Sequence, residues 1–298
     1  MTNSQILLIV KVAETGSFTK AGEALNMTQP AVSRSISTLE SELGVTLFIR
    51  DKKQGILLTD IGRRLLLLFR EILNNYERVE QEVQAELGYE IGTIRIGAFP
   101  IISAYFLPSI IKAIGEKYPQ IKYELYEGNV DEIKEWLASR FIDVGWIIPP
   151  NEPFDALPFY RDEMCLLIRD DHPLHNRTPI HITDLHNEPL ILCKGGFELP
   201  VYELFQRYDT VLNEAFELHN VNAAIRMVQE GLGTAIVSNI SLSLSALPPN
   251  VRIRSLEPAP YRDIQLAVPS LADASNAVKL FIRIAQELFV QQNGHSAI

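Results

Sequence analysis

Thr19–Arg50 reads TKAGEALNMTQPAVSRSISTLESELGVTLFIR. Asn26 and Met27 separate two short helical patterns. Thr28 stands where a side-chain oxygen can cap a helix, and Pro30 falls in the first turn, where a missing N–H costs little. Val32, Ile36, Leu39 and Leu43 recur at spacings of four, three and four, which makes one apolar stripe. The other side carries Gln29, Pro30, Ser33, Arg34 and Ser37. Short hydrogen-bonding groups with one guanidinium suit a helix that enters a DNA major groove. Pattern alone leaves two readings open: a DNA reader, or an ordinary helical hairpin with a solvated polar face.

The flanking residues narrow that choice. Upstream, Ile6, Val10 and Ala13 share a helical face, Gly16 ends that helix, and Ser17 can cap the next, from which Ala21 and Leu25 face inward. Past Gly44, Leu47-Phe48 starts an extended run, Arg50–Gly55 makes a basic turn, and Ile56-Leu57-Leu58 returns. This predicts a two-stranded wing. Its Arg50, Lys52 and Lys53 are placed to meet phosphates or an adjacent minor groove, although a lysine in such a turn also reads as a solvated charge. From Thr59 the period stays helical through Ile61, Leu65, Leu68, Ile72, Tyr76, Val79, Val83 and Leu87, a helix of roughly 40 Å. With no second helix in the chain to cover it, the stripe is expected to pair with a copy of itself. The other reading packs it on the domain that follows.

The net charge of −10 looks wrong for a DNA binder until it is divided. Residues 1–70 hold nine basic and six acidic side chains, a balance of +3, so the remainder carries −13. Counterion release depends on local contacts, and the acidic bulk can sit away from the phosphates. With 298 residues, 47% hydrophobic and 21% charged, the chain reads as a soluble globular protein of two or three domains. No apolar run approaches the ~20 residues of a membrane span. The N-terminal apolar stretch lacks a basic lead and reads as a core helix, so a cytoplasmic location is expected. Cys165 and Cys193 lie in strand-like apolar runs and read as core; a redox role would want an exposed, low-pKa thiol. No metal-ligand spacing, Walker loop, GxSxG or GxGxxG occurs, so neither a cofactor nor a catalytic residue is expected.

Ala13–Thr19, Ala21, Leu25, Thr28–Ser33, Ile36, Leu39-Glu40, Leu43-Gly44, Leu47-Phe48, Arg50, Leu58-Thr59 and Gly62 together resemble the N-terminal signature of LysR-type transcriptional regulators. The match runs nearly without gaps over about 60 residues and departs at Gly22, usually alanine, and Ile9, often phenylalanine. Later stretches resemble the family more loosely. Thr93–Ala98, Ile121–Glu127 and Val144–Ile148 read as strands, and Phe106–Tyr118 and Asp131–Ser139 as helices. A second set follows at Leu190–Cys193, Leu199–Tyr208, Ala215–Leu218, Asn222–Glu230 and Thr234–Val237, and Asn276–Gln292 closes the chain. Strands alternating with helices predict a parallel α/β sheet. Gly231–Val237 looks like the family's glycine turn before a buried strand, with Ser238 where a proline usually follows.

The resemblance implies an α/β protein overall: a winged helix-turn-helix at 1–58, a linker and dimerisation helix at 59–90, and an effector-binding domain at 91–298. That domain would consist of two α/β subdomains, as in periplasmic binding proteins, divided as 91–162 plus 267–298 and 163–266. Crossing strands are placed near Arg161–Ile168 and Asp263–Val268. The resemblance further implies a bacterial homotetramer on a dyad operator in double-stranded DNA, with RNA polymerase as partner and a small-molecule effector in the cleft. Ligands of open α/β sheets bind beyond the carboxyl ends of strands. That rule selects Phe99, Pro100, Ile101, Ile102 and Ser103, then Gly128, Asn129, Pro149, Lys194, Gly195, Phe197, Val221 and Asn222. The first turn offers one hydroxyl, Ser103, where many relatives have several, which weakens a small-anion effector and leaves room for a more apolar ligand, or none. Lys194 could supply a positive charge. A stand-alone binding protein or enzyme with oligomerising helices would leave the wing and the polar helix face unexplained.

Overall fold

The computed structural model describes residues 1–51, 55–86, 91–194 and 198–293. Helices α1 (Asn3–Thr15), α2 (Phe18–Ala24) and α3 (Gln29–Leu43) pack around Ile6, Leu8, Ile9, Val12, Val32, Ile36 and Leu39. Thr2 and Gln5 close a capping box on α1, and Gly16 ends the helix in the left-handed region. Ser17 caps α2 by accepting from Lys20 N, as its position predicts. Thr28 occupies the N-cap of α3 but makes no capping hydrogen bond, contrary to expectation. Pro30 at the second helical position removes one of the two N–H groups that a cap oxygen accepts from.

Strands β1 (Phe48–Asp51) and β2 (Gly55–Leu58) pair antiparallel, Phe48 opposite Leu58 and Asp51 opposite Gly55. The wing is anchored from α3, because Glu40 Oε1 accepts from Leu47 N (2.6 Å) and Phe48 N (3.1 Å). Helix α4 (Asp60–Glu86) starts against the wing: Thr59 N donates to Leu47 O, and a Cβ on Gly62 would lie 2.3 Å from that same carbonyl. Only glycine allows that approach. Leu66 and Phe69 of α4 are buried, and Leu65, Ile72 and Leu73 pack on the helical core. Leu65 and Ile72 of the predicted stripe are therefore covered within the chain, where α4 packs on α1, a correction to the expectation that nothing covers it. Leu68, Tyr76, Val79 and Val83 remain 53–63% exposed.

Among the described residues, the remainder forms one nine-stranded sheet in two halves and a separate two-stranded pair. The first holds β3 (Gly92–Ala98), α5 (Pro100–Tyr105), α6 (Leu107–Gly115), β4 (Ile121–Glu127), α7 (Val130–Ala138) and β5 (Val144–Ile147). The long β6 (Asp155–Arg169) then crosses to the second half. There lie the short β7 (Ile180–His181) and its 3-10 turn, β8 (Pro189–Cys193), α8 (Glu198–Arg207), β9 (Asn213–Leu218), α9 (Val221–Gln229), β10 (Thr234–Ser238), α10 (Asn239–Ser243), β11 (Val251–Arg254) and β12 (Leu256–Glu257). Strand β13 (Tyr261–Val268) returns, and α11 (Asn276–Asn293) packs on the first half.

Each half repeats one topology. Strands β4-β3-β5 and β9-β8-β10 are both parallel with the first-formed strand in the centre. The near-continuous apolar strands Val144–Ile147 and Pro189–Cys193 are buried on both faces, as parallel sheets under helices require. Strand β6 pairs with β13 over Asp155–Glu163 and with β10 and β11 over Met164–Arg169. Strand β13 is paired from Tyr261 onward. The crossing is therefore confined to residues 162–164 and 260–262, ahead of the predicted Asp263–Val268 and shorter than Arg161–Ile168. A bulge between Ile264 and Gln265 shifts the register past Phe159, whose ring is buried against Phe106, Trp146 and Phe289.

Candidate functional site

Two surfaces stand out. On α3 the apolar stripe faces inward, so the opposite residues face outward by helical periodicity. Thr28, Gln29, Pro30, Arg34 and Ser37 are exposed and Ser33 is half-buried. Ser33, Arg34, Ser37 and Thr38 line one open depression. The backbone of Arg50 lies in β1 beside this helix; Lys52 and Lys53 lie outside the described residues.

The second surface is where the carboxyl ends of the parallel strands of the two halves meet. Gly128 N donates to Ala98 O, which sets the end of β4 beside the turn after β3. Phe99 stands at the N-cap of α5 and Ile102 follows in its first turn, but both are buried in the core of the first half, so they underlie the turn rather than form its surface. Pro100 is exposed, and Ile101 and Ser103 half-buried. Asn129 spends its side chain on a capping box with Glu132, and Pro149 is exposed after β5. In the second half Val221-Asn222 opens α9 behind the cap of Asn220. Gly195 and Phe197 lie outside the described residues.

Lys194 departs from its expected part. Its Nζ donates to Tyr202 Oη (2.8 Å) and pairs with Glu217 (3.3 Å). The Tyr202 hydrogen bond, joined by Glu217, holds the ammonium above the ordinary lysine range. Its charge is already matched within the second half.

The two halves touch across the cleft. Helix α10 reaches α5, and Ile240 of α10 is buried in the core of the first half. Beneath them lies a pair that the sequence reading did not single out. Asp162 of β6 and Arg262 of β13 face each other in register, both 0% exposed, with Nη2 donating to Oδ2 at 2.7 Å. The guanidinium lies 5.3 Å from the centre of the Phe99 ring. The signal was present: Tyr-Arg-Asp occurs at 160–162 and again at 261–263. Set antiparallel, each Arg-Asp step meets the other. Arg161–Asp263 (3.7 Å) faces solvent, and Arg262–Asp162 faces inward.

The cysteines take no part. Cys165 lies in β6 and Cys193 in β8, with β10 between them, so they stand about 9–10 Å apart, beyond disulfide reach. Burial pushes both thiols up to about 12. Neither is expected to react with Ellman's reagent at pH 8 until the chain is unfolded, and prompt release of thionitrobenzoate from the native protein would contradict this. Among the described residues no cluster suits a metal ion, and no helix is long and apolar enough to cross a membrane.

Family models match both parts of the chain. Residues 4–63 match the bacterial regulatory helix-turn-helix protein, lysR family, and residues 88–290 match the LysR substrate binding domain. The chain is 50% identical over 289 residues to the uncharacterized HTH-type transcriptional regulator YvbU of Bacillus subtilis strain 168, covering 97% of this chain and 99% of YvbU. A full-length OxyR variant from Pseudomonas aeruginosa has the same fold, with a TM-score of 0.79 at 23% identity over 96% of this chain and 95% of that one. The CcmR regulatory domain of Synechocystis PCC6803, solved in complex with 2-PG, matches with a TM-score of 0.60 at 24% identity, covering 66% of this chain and 97% of that one. OxyR and CcmR attest the fold alone. The members of the matched family are transcriptional regulators and not enzymes. The chain belongs to the LysR family, a transcriptional regulator with a DNA-binding winged helix-turn-helix and an effector-binding domain.

Proposed function

We propose that two chains pair through α4 and present two copies of α3 to the half-sites of a dyad operator in the cytoplasm. In this reading 1–58 is the reader, 59–90 the linker and the rest the effector-binding domain. Gln29, Ser33 and Arg34 contact base edges. Thr28, Pro30, Ser37, Arg50, Lys52 and Lys53 set register against the backbone. The observation that carries it is the division of α3 into a buried apolar face and an outward face of short hydroxyls around a single guanidinium. Dimers join into a tetramer through their regulatory halves. The tetramer holds two DNA sites together and presents the promoter to RNA polymerase.

The effector enters between the turn at Phe99–Ser103, Gly128, Asn129 and Pro149 on one side and Lys194–Phe197, Val221 and Asn222 on the other. It shifts the hinge only by binding the two arrangements with different free energy. The half-buried Ser103 is the hydroxyl nearest the head of α5, and the ligand body rests on Pro100 and Ile101.

Arg34→Ala is expected to lose about 1–3 kcal/mol of discrimination per half-site. Gel shifts of operator against scrambled duplex, at fixed salt, measure it. Wild-type discrimination in the variant would remove Arg34 from the reading face. A mutant that loses all duplexes equally would instead mark Arg34 as a phosphate contact.

A further inference from the structure

The inward Asp162–Arg262 pair sits at a demanding place. It joins the two strands that cross between the halves, beside Phe99 at the head of α5. Asp162 is fully buried, yet its Oδ1 has no hydrogen-bond donor among the described residues. A buried carboxylate oxygen without a donor is costly, and a pair of apolar side chains would close the same crossing without that cost. Ser238 adds to the polarity. It ends β10 opposite Met164, two residues from Asp162, and is fully buried. Its Oγ accepts from Ser241 N (3.2 Å) and lies 3.3 Å from Ser241 Oγ.

We propose that Asp162, with Arg262 and Ser238, is the polar floor of the effector cleft, and that it selects a ligand with a non-anionic, hydrogen-bond-donating head on an apolar body. This rests on the reading of the cleft as the effector site. The head would donate to Asp162 Oδ1 where no described protein group does. An anionic head fits poorly. Asp162 already neutralises Arg262, Glu198 at the start of α8 adds negative potential at that guanidinium, and an anion offers Oδ1 no proton. The body would lie against Pro100 and Ile101, in a turn nearly free of hydroxyls. Access requires α5 and α10 to part and Ile240 to leave the core of the first half. A ligand that reaches this floor therefore favours an opened hinge, which ties the choice of head group to the conformational change.

Benzamide, benzamidine and benzoate share one shape and differ in the head: neutral donor, cationic donor and anion. Thermal-shift titration and calorimetry with the full-length protein, followed by a crystal soak to locate the probe, give the test. Saturable binding of benzamide or benzamidine in the cleft, at least about tenfold tighter than benzoate, is expected. The paired variant Asp162→Leu/Arg262→Leu should keep the far-UV spectrum and a cooperative melt but lose the preference. Tighter binding of benzoate in the cleft overturns the proposed head group and leaves the cleft reading standing. Binding of none of the three, or an unchanged preference in the folded paired variant, overturns the floor.

Discussion

Val79→Glu/Val83→Glu is expected to leave a folded monomer that no longer protects a dyad operator. Both valines lie on α4 and are among the most exposed large apolar side chains in the chain, at 63% and 56%. With Tyr76 one turn earlier and Leu68 two turns before that, they form a strip on the side of the helix away from its own chain. Single exposed apolar residues need no explanation, but a strip at helical spacing along much of a 27-residue helix does. A second copy would cover it as coiled-coil helices do. Glutamates there would put two carboxylates per chain into the seam, where desolvation and like-charge repulsion oppose pairing. Loss of the dimer also removes the linkage between half-sites, which is worth about 10²–10⁴ in apparent affinity. Sedimentation velocity reads the mass, and footprinting reads the operator. Because neither valine belongs to a core of its own chain, the monomer's far-UV spectrum should be unchanged. A dimer that survives both substitutions would place the pairing surface elsewhere.

The head of the molecule was legible because its signals are local. Caps, turn residues and the stripe on α3 lie within a few residues of what they organise, and Gly16, Ser17 and Gly44 do what their positions predict. The alternation of strands and helices was legible for the same reason, and the boundaries of β4 fall where the pattern puts them. Contacts at long range were not. Arg95 reads as the outward member of the alternating run Thr93–Ala98, yet α4 covers that side of β3. Glu40 looks like a surface charge on α3 and instead holds the wing. The crossings come from the resemblance, which gives their neighbourhood but not their extent; the crossing itself is made around the charged Tyr-Arg-Asp steps, whose pairing is a long-range contact. For the effector turn, the strand-end rule gives the location but not the facing of each side chain, so it selects the buried Phe99 and Ile102 alike with Pro100 and Ile101.

Helix α4 serves two surfaces at once, and the second is polar. On the side facing the regulatory domain, Arg70 donates to Ser139 O (2.7 Å), Asn74 accepts from Arg95 (2.7 Å), Gln81 accepts from Ala277 N (3.3 Å) and Glu82 accepts from Asn276 (3.1 Å). These residues recur at spacings that keep one face of the helix on the first half of the sheet. These bonds tie that half of the sheet to the helix that carries the reader. A mostly apolar contact would be as strong but less particular about register.

Arg95→Ala is expected to cost about 3 kcal/mol, toward the low end for breaking a buried ion pair because the partners keep 19% and 13% side-chain exposure. Arg95 forms a fork with Asp143, Nε to Oδ2 at 3.0 Å and Nη2 to Oδ1 at 3.1 Å, and Asp143 Oδ2 also accepts from Arg95 N. The same Nη2 reaches Asn74 and lies 3.5 Å from Glu77, so one guanidinium joins β3, the start of β5 and α4. Alanine leaves Asp143 half-matched and removes the cation that opposes the effect of burial on Glu77. Burial already pushes the Glu77 carboxyl above its usual range against the pull of Arg95, and without Arg95 it would rise further. A carboxyl whose folded pKa lies above its unfolded one favours the folded state as pH falls. The variant's deficit should therefore shrink as pH falls through the Glu77 carboxyl range. Lysine at this position keeps the charge but not the fork, so Arg95→Lys should recover part of the loss. Asn74→Ala/Glu77→Ala, which removes only the α4 side, should cost less than about 1 kcal/mol because Glu77 is nearly half exposed. Urea unfolding at several pH values separates these cases. If Arg95→Ala and Asn74→Ala/Glu77→Ala lose the same amount, the fork with Asp143 contributes nothing and the contact with α4 carries the whole effect.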